Sequence, residues 1–316
     1  MRIIPLLCVA LIFSLACSAQ AAPRFPSKPI QLVVPYAPGG GSDISARIFA
    51  DAMKDILPQP VVVSNVTGAG GLTGAAHVLN SRPDGHTVFW EHASLILNPL
   101  LSEVPFRWTD FAFICIGAKA DNVLVVKKDS PWNSVKDVVE AIRSNPGKIR
   151  YSCAGTSQFS YLDLVLAAGG GLEALVIPMA GDKPRIVSLL GDNCDVTTVS
   201  LSSADPYVQS GDIKMLGVLS ERRSAFAPDL PTCQEQGYDV VYEFLYGVHV
   251  PAKVPADVQK ALFDAFKKAA DKPETKEALS KVFVEPYFKD AEEGKKLWKA
   301  SEDNFLRTGK AFNLLK

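Results

Sequence analysis

Three consecutive glycines directly behind an apolar run constrain this chain more than any other feature. The stretch reads Lys28-Pro29-Ile30-Gln31-Leu32-Val33-Val34-Pro35-Tyr36-Ala37-Pro38-Gly39-Gly40-Gly41-Ser42-Asp43. Residues 30–34 read as a buried strand, and the prolines at 35 and 38 end it. Ser42 is a good helix N-cap. Behind it Ile44, Ile48, Phe49, Ala52, Met53 and Ile56 recur at helical spacing. Strand, glycine loop and helix N-terminus in succession aim unpaired backbone N–H groups, and the positive end of a helix dipole, at one point. Glycines let a ligand approach the backbone closely. The result is an anion site that needs no Lys or Arg. The bland alternative is a tight strand-to-helix turn.

The same device recurs along the chain. Residues 60–63 read as a strand, followed by the glycine-rich turn Asn65 to Gly74 and a helix over 75–80. Residues 86–90, 111–117 and 123–127 read as further strands, with Asn98-Pro99 breaking the segment between the first two. A second series starts near residue 148. It comprises a strand over 149–153, the loop Ala154-Gly155-Thr156-Ser157 with a helix over 158–168, a strand over 175–178 and a helix over 185–190. Strands over 195–199, 213–219 and 242–250 follow, then amphipathic helices over 255–270 and 292–312. Alternating strands and helices mean α/β sheets, and ligands of such sheets bind outside the carboxyl ends of the strands. Two starts predict two lobes, with the apolar segments 123–127 and 244–250 as crossings and the C-terminal helices returning to the first.

At 316 residues, 47% hydrophobic and 21% charged, the chain has the composition of a globular protein with room for two cores. A net charge of -1 gives no electrostatic reason for a nucleic-acid partner. The N-terminus differs. Met1-Arg2, an apolar run from Ile3 to Ala16 and Ala19-Gln20-Ala21 make a secretory signal peptide over residues 1–21. A lipoprotein reading through Cys17 ranks below simple cleavage, because Ser14 stands where an aliphatic residue is wanted. Cys115, Cys153, Cys194 and Cys233 remain after cleavage. In an oxidising compartment they allow one or two disulfides, with the pairing open. No CxxC or HExxH spacing occurs, so neither a metal nor another cofactor is expected.

These stretches resemble the solute-binding proteins of tripartite tricarboxylate transporters, the Bug family. The resemblance runs through Phe25-Pro26-Ser27-Lys28-Pro29-Ile30, the PYAPGGGSD loop, Gly68-Ala69-Gly70-Gly71, Arg82-Pro83-Asp84-Gly85, Asn145-Pro146-Gly147-Lys148, Gly155-Thr156-Ser157-Gln158 and Ala227-Pro228-Asp229-Leu230-Pro231. It implies a two-lobed α/β fold of the type II periplasmic-binding class, with a ligand cleft between the lobes. Lobe one would be 22–125 plus 247–316, and lobe two 126–246. It also implies a periplasmic receptor for a small organic carboxylate, with membrane permease subunits as partners. The ligand would be gripped by Tyr36, Pro38, Gly39, Gly40, Gly41, Ser42 and Asp43 from one lobe and by Gly155, Thr156, Ser157 and Gln158 from the other. A third element, 177–185, would face the cleft with Met179, Ala180, Gly181 and Arg185. The chain departs from the family in carrying Phe159 where a His is usual, and Met179-Ala180 in a turn that usually reads Tyr-Lys. An apolar or aromatic acid suits those changes better than citrate.

Individual residues leave alternatives open. Arg185 is either a bidentate clamp for a second carboxylate, as in a dicarboxylic ligand, or a solvated helix charge. Asp43 either points away from a bound anion or meets the amine of an amino-acid ligand. Ser94 and His92 follow a strand end and are candidates to line the cleft. The GAGGLTG run lacks GxGxxG spacing, since position 73 is Thr, and no acidic residue follows at the right distance, which excludes a nicotinamide enzyme. An exported hydrolase using Ser42 or Ser157 would need a GxSxG elbow or a paired His, and the elbow is absent. A receptor feeding a sensor kinase instead of a permease has the same sequence signature.

Overall fold

The computed structural model describes residues 25–153, 156–179 and 181–315. The expected leader lies outside the described residues, as do Ala154, Gly155 and Ala180. In chain order the strands are β1 (Ile30–Val34), β2 (Val61–Asn65), β3 (Thr87–Glu91), β4 (Phe111–Ala120), β5 (Asn122–Lys127), β6 (Arg150–Cys153), β7 (Leu175–Pro178), β8 (Val196–Ser200), β9 (Ile213–Val218), β10 (Phe244–Pro251) and β11 (Glu285–Lys289). The helices are α1 (Gly41–Ala52), α2 (Leu72–Leu79), α3 (Ser94–Leu101), α4 (Val135–Ser144), α5 (Thr156–Ala167), α6 (Asp182–Leu190), α7 (Leu201–Gln209), α8 (Ala256–Asp271), α9 (Pro273–Ser280) and α10 (Ala291–Ala311).

Two sheets result, in the orders β11-β4-β10-β3-β1-β2 and β7-β6-β8-β5-β9. Each is built around parallel strands, β2-β1-β3 in the first and β7-β6-β8 in the second. The remaining strands add antiparallel: β10 on β3 and β4, and β5 on β8 and β9. Parallel strands are covered on both faces, and β1 accordingly buries four of its five residues. Phe49 of α1 and Phe266 of α8 pack with Trp90 of β3 on one face of the first sheet. Among the described residues no helix is long and apolar enough to cross a membrane.

The chain passes from the first sheet to the second at Asp121, the single residue between β4 and β5, and returns between β9 and β10. The two passages are tied together. The Asn122 side chain donates to the Tyr242 carbonyl at 3.0 Å. The buried ammonium of Lys119 stands 3.3 Å from Asp121, 3.1 Å from Glu243 and 3.2 Å from Glu285. Burial alone would lower the Lys119 pKa, but the three carboxylates outweigh it and raise it. The halves also meet where α5 docks on α10. There Phe159 packs edge-on against Phe305 at 5.5 Å, and the buried Asp163 accepts from Asn304 at 2.9 Å and from the Thr308 hydroxyl.

Several expectations need correction. Helix α1 starts two residues earlier than its N-cap signal implied: Gly40 is the cap and Ser42 lies inside the helix. Asn98-Pro99 does not break a segment, because Pro99 sits inside α3; the turns α7 and α9 and strand β11 had no periodic signal. The segments 123–127 and 244–250 are strands, as expected, each beginning where the chain has passed from one sheet to the other. Cys115, Cys153, Cys194 and Cys233 are buried free thiols, with Cys153 and Cys233 in one apolar cluster and the other two in clusters of their own.

His249 of β10 is fully buried, with Trp298 at 4.5 Å and Phe113 at 4.8 Å. Burial holds its pKa down to about 3. The unfolded chain takes up a proton near the ordinary value of 6.5 and the folded chain does not, so stability drops as pH falls from about 6.5 towards 3. His249→Leu should flatten that decline, measured as the pH dependence of the thermal midpoint against wild type; parallel curves would refute it.

Candidate functional site

The loop after β1 is shaped by one buried acid. Asp43, 2% exposed, accepts the Gly39 N–H at 2.9 Å and two bonds of 2.9 Å from the Arg47 guanidinium. Asn65, at the end of β2, donates to both the Asp43 carboxylate and the Tyr36 carbonyl, again at 2.9 Å. Burial pushes the Asp43 carboxyl up, but these hydrogen bonds outweigh it and hold it below the usual range. Gly39 takes a φ of +82°, a left-handed turn that suits glycine. With the Gly39 N–H committed to Asp43, the amides of Gly40, Gly41 and Ser42 lead the helix, ahead of the first intrahelical bond from Ile44 to the Gly40 carbonyl.

These amides open onto a cavity of about 860 Å³ between the two sheets. One wall is the loop from Tyr36 to Ser42. The other comes from the second sheet: Gly181, Asp182, Lys183, Pro184 and Ile186 at the start of α6, then Ser200, Ser202, Ser203, Pro206 and Tyr207 around α7. Phe244 and Tyr246 of β10 close the back. The carboxyl ends of β1, β7 and β8 thus meet in one cleft, the position that the sheet topology favours.

On the second-sheet side one ion pair braces three helix starts. The Arg185 side chain is buried and donates to the Ser157 hydroxyl, in the first turn of α5, at 2.6 Å. Its other arm meets Asp182 at 2.5 Å. The second Asp182 oxygen accepts the N–H and hydroxyl of Ser200, the cap of α7, at 3.0 and 2.6 Å. Arg185 is therefore neither a free clamp nor a solvated charge, and Lys183 is the exposed cation of the lining.

Behind the first wall lies a polar cluster. Glu91 is buried at the end of β3 and accepts from Tyr36, the His92 N–H and Ser94. Burial pushes its carboxyl up to about 7, against those hydrogen bonds. His92 is stacked between Tyr36 at 4.9 Å and Phe244 at 4.3 Å. Burial holds it down to about 3, opposed by the charge of Asp182.

Of the sequence candidates, Tyr36, Pro38, Gly39, Gly40, Gly41, Ser42 and Gly181 line the cavity. Asp43 and Ser94 lie behind it as supports, and Ser157 and Arg185 brace the opposite wall. Gln158 and the half-buried Met179 are not among the lining residues. Phe159 does not face the cleft: it is 1% exposed in the core between α5 and α10. Thr156 opens α5, and Gly155 and Ala180 lie outside the described residues. The sequence reading missed Ser200, Ser202, Ser203, Tyr207, Phe244 and Tyr246. The run Ser200-Leu201-Ser202-Ser203 at a strand end carried a usable signal, being rich in capping hydroxyls.

A family model described as tripartite tricarboxylate transporter family receptor matches residues 45–313. A Cupriavidus necator protein, the UPF0065 protein in gbd 5'region, is 33% identical over 283 residues, 88% of this chain and 86% of its own. The structure of the periplasmic binding protein BugD has a TM-score of 0.79 at 28% identity, covering 92% of this chain and all of that one. The structure of R. palustris Rpa4515 with adipate has a TM-score of 0.81 at 23% identity, covering 90% and 97%.

Asp43→Ala removes the acceptor of the Gly39 N–H and of the Arg47 and Asn65 side chains. It should lower the unfolding free energy by on the order of 2 kcal/mol in urea titration. An unchanged midpoint would show that the loop holds its shape without the clamp.

Proposed function

We propose that this chain, which belongs to the tripartite tricarboxylate transporter receptor family, is a periplasmic receptor that captures a small organic carboxylate. The protein is a binding protein and not an enzyme. In line with that, the Ser157 hydroxyl is engaged by Arg185 and that of Ser42 by Tyr246. Residues 1–21 would be removed on export. The two sheets are the cores of the two lobes, with the seams at Asp121 and between Val218 and Phe244. The loaded, closed form is what a membrane permease would recognise.

One observation carries this reading: three leading amides of α1 face, across a single cavity, a wall bearing the hydroxyls of Ser200, Ser202 and Ser203. The ligand carboxylate sits at the positive end of α1 on the Gly40, Gly41 and Ser42 amides. An anion bonded from both sides favours the closed state, which is population shift without covalent chemistry. The body of the ligand lies among Tyr36, Tyr207, Phe244, Tyr246, Pro38, Pro184 and Ile186. The R. palustris relative holds the dicarboxylate adipate. Here the charged lining is Asp182, already paired, and exposed Lys183. An acid with one carboxylate and an apolar or aromatic body fits this lining better than a dicarboxylate.

A thermal-shift screen over mono-, di- and aromatic carboxylates identifies the ligand class. Gly40 has φ −81° and ψ 166°, and a Cβ there would meet only the Ala37 carbonyl at 3.7 Å. Gly40→Val should therefore fold with a midpoint within a few degrees of wild type and lose the ligand-induced shift. Undiminished affinity in calorimetry would overturn the assignment of the loop.

A further inference from the structure

Capture of an anion does not by itself account for the buried carboxylate one side chain behind the cleft wall. Glu91 is 1% exposed. Its Oε1 accepts three hydrogen bonds, from the Tyr36 hydroxyl at 2.7 Å, the His92 N–H at 2.7 Å and the Ser94 hydroxyl at 2.8 Å. Its Oε2 is buried and accepts none. It faces Gly71, where a Cβ would stand 3.3 Å away, beside Pro35. The Tyr36 and Ser94 hydroxyls also bond each other, whereas among the described residues Oε2 has no partner and is the oxygen free to carry a proton.

Among the described residues the basic group beside Glu91 is His92, whose Nδ1 stands 3.8 Å from Oε1. The titratable groups around Glu91 are His92 on its own segment, Tyr36 after β1, Tyr242 and Tyr246 on the return passage, and Asp182 of α6. His92 is held neutral by burial, and Asp182 is an anion paired with Arg185. A buried carboxylate without a cation is costly to keep ionised. Only a tyrosine separates it from the anion site: Tyr246 feels the charge of Glu91, and its hydroxyl stands 3.3 Å from where a Gly41 Cβ would be. A second negative charge on the Gly40–Ser42 amides then raises the cost of ionising Glu91 further.

Resting on the carboxylate reading above, we propose that Glu91 is a positioning residue that couples capture to proton uptake. Through Oε1 it holds Tyr36 against the cleft, and Oε2 takes a proton from solvent when an anion settles on the α1 amides. The carboxyl, pushed up to about 7 by burial, is poised for that exchange near neutral pH.

Calorimetric titrations between pH 5.5 and 8.5, with benzoate and adipate as probes in two buffers of different ionisation enthalpy, test this. In wild type the affinity should fall by up to about tenfold per pH unit above pH 7, with net uptake approaching one proton. Glu91→Gln, permanently neutral, should show no uptake and bind up to about thirtyfold tighter than wild type at pH 8.5. Glu91→Ala, which releases Tyr36, should bind weakly at every pH. Parallel pH profiles in wild type and Glu91→Gln, or absent proton uptake in wild type, overturn the coupling. So does a Glu91 carboxyl that titrates near 4.5 by ¹³C NMR, whatever binds. If neither acid binds while that carboxyl titrates near 7, the carboxylate reading fails and takes the coupling with it.

Discussion

The bond between the Asp43 carboxylate and the Gly39 N–H decides which amides of the glycine loop remain to face the cleft. Asp43 reaches Gly39 because it sits in the first turn of α1, and it stays charged there because Arg47 and Asn65 share it. A free acid at this helix start would repel an anion. A clamped one spends its charge inside the lobe and leaves the dipole of α1 to act on the cavity. Electrostatics and shape are thus settled by the same side chain.

The second wall follows the same plan with different residues. Asp182 opens α6 as Asp43 opens α1, and each acid is paired with an arginine on its own helix, Arg185 or Arg47. Each also reaches across to a neighbouring strand end, Ser200 of β8 or Asn65 of β2. The difference is burial: Arg47 is half exposed, whereas Arg185 is enclosed and ties in Ser157 as well. Both walls therefore present backbone and hydroxyl groups to the cleft, with the acids that open α1 and α6 matched by arginines and Lys183 left as the exposed charge. A pair of this kind is poor evidence for net stability, but it fixes geometry, since either member alone would be a buried uncompensated charge.

The parallel strands and the glycine loop were legible in the sequence because each has a local cause: apolar runs for β1, β2 and β7, and a Pro-Gly stop after β1. Ser42 was legible as a cleft residue but misread as a cap, since a glycine cap leaves no side-chain signature. Arg185 was read as exposed or ligating; its pairing with Asp182 on the same helix was open to view, whereas its contact with Ser157 on α5 was not. Phe159 belonged to the same blind spot. Its apolarity argued for a greasy pocket, and its actual neighbour, Phe305, is far along the chain. Strand β11 and helix α9 owe their form to packing on β4 and α8, and Pro99 inside α3 was outvoted by the apolar face around it. The burial of Phe159 and the placing of β11 were set by long-range contacts.

Lys119 ties the junction to distant parts of the chain. Its three carboxylates come from positions 121, 243 and 285, and the last belongs to a strand that follows both passages between the sheets. A chain that folds from its N-terminus can complete the second sheet while this ammonium still lies open to water and the junction is loose. Only when β11 takes its place at the outer edge of the first sheet is the charge enclosed. The junction between the sheets is therefore closed by a residue from the tail of the chain, and its charge balance is complete only with β11 in place.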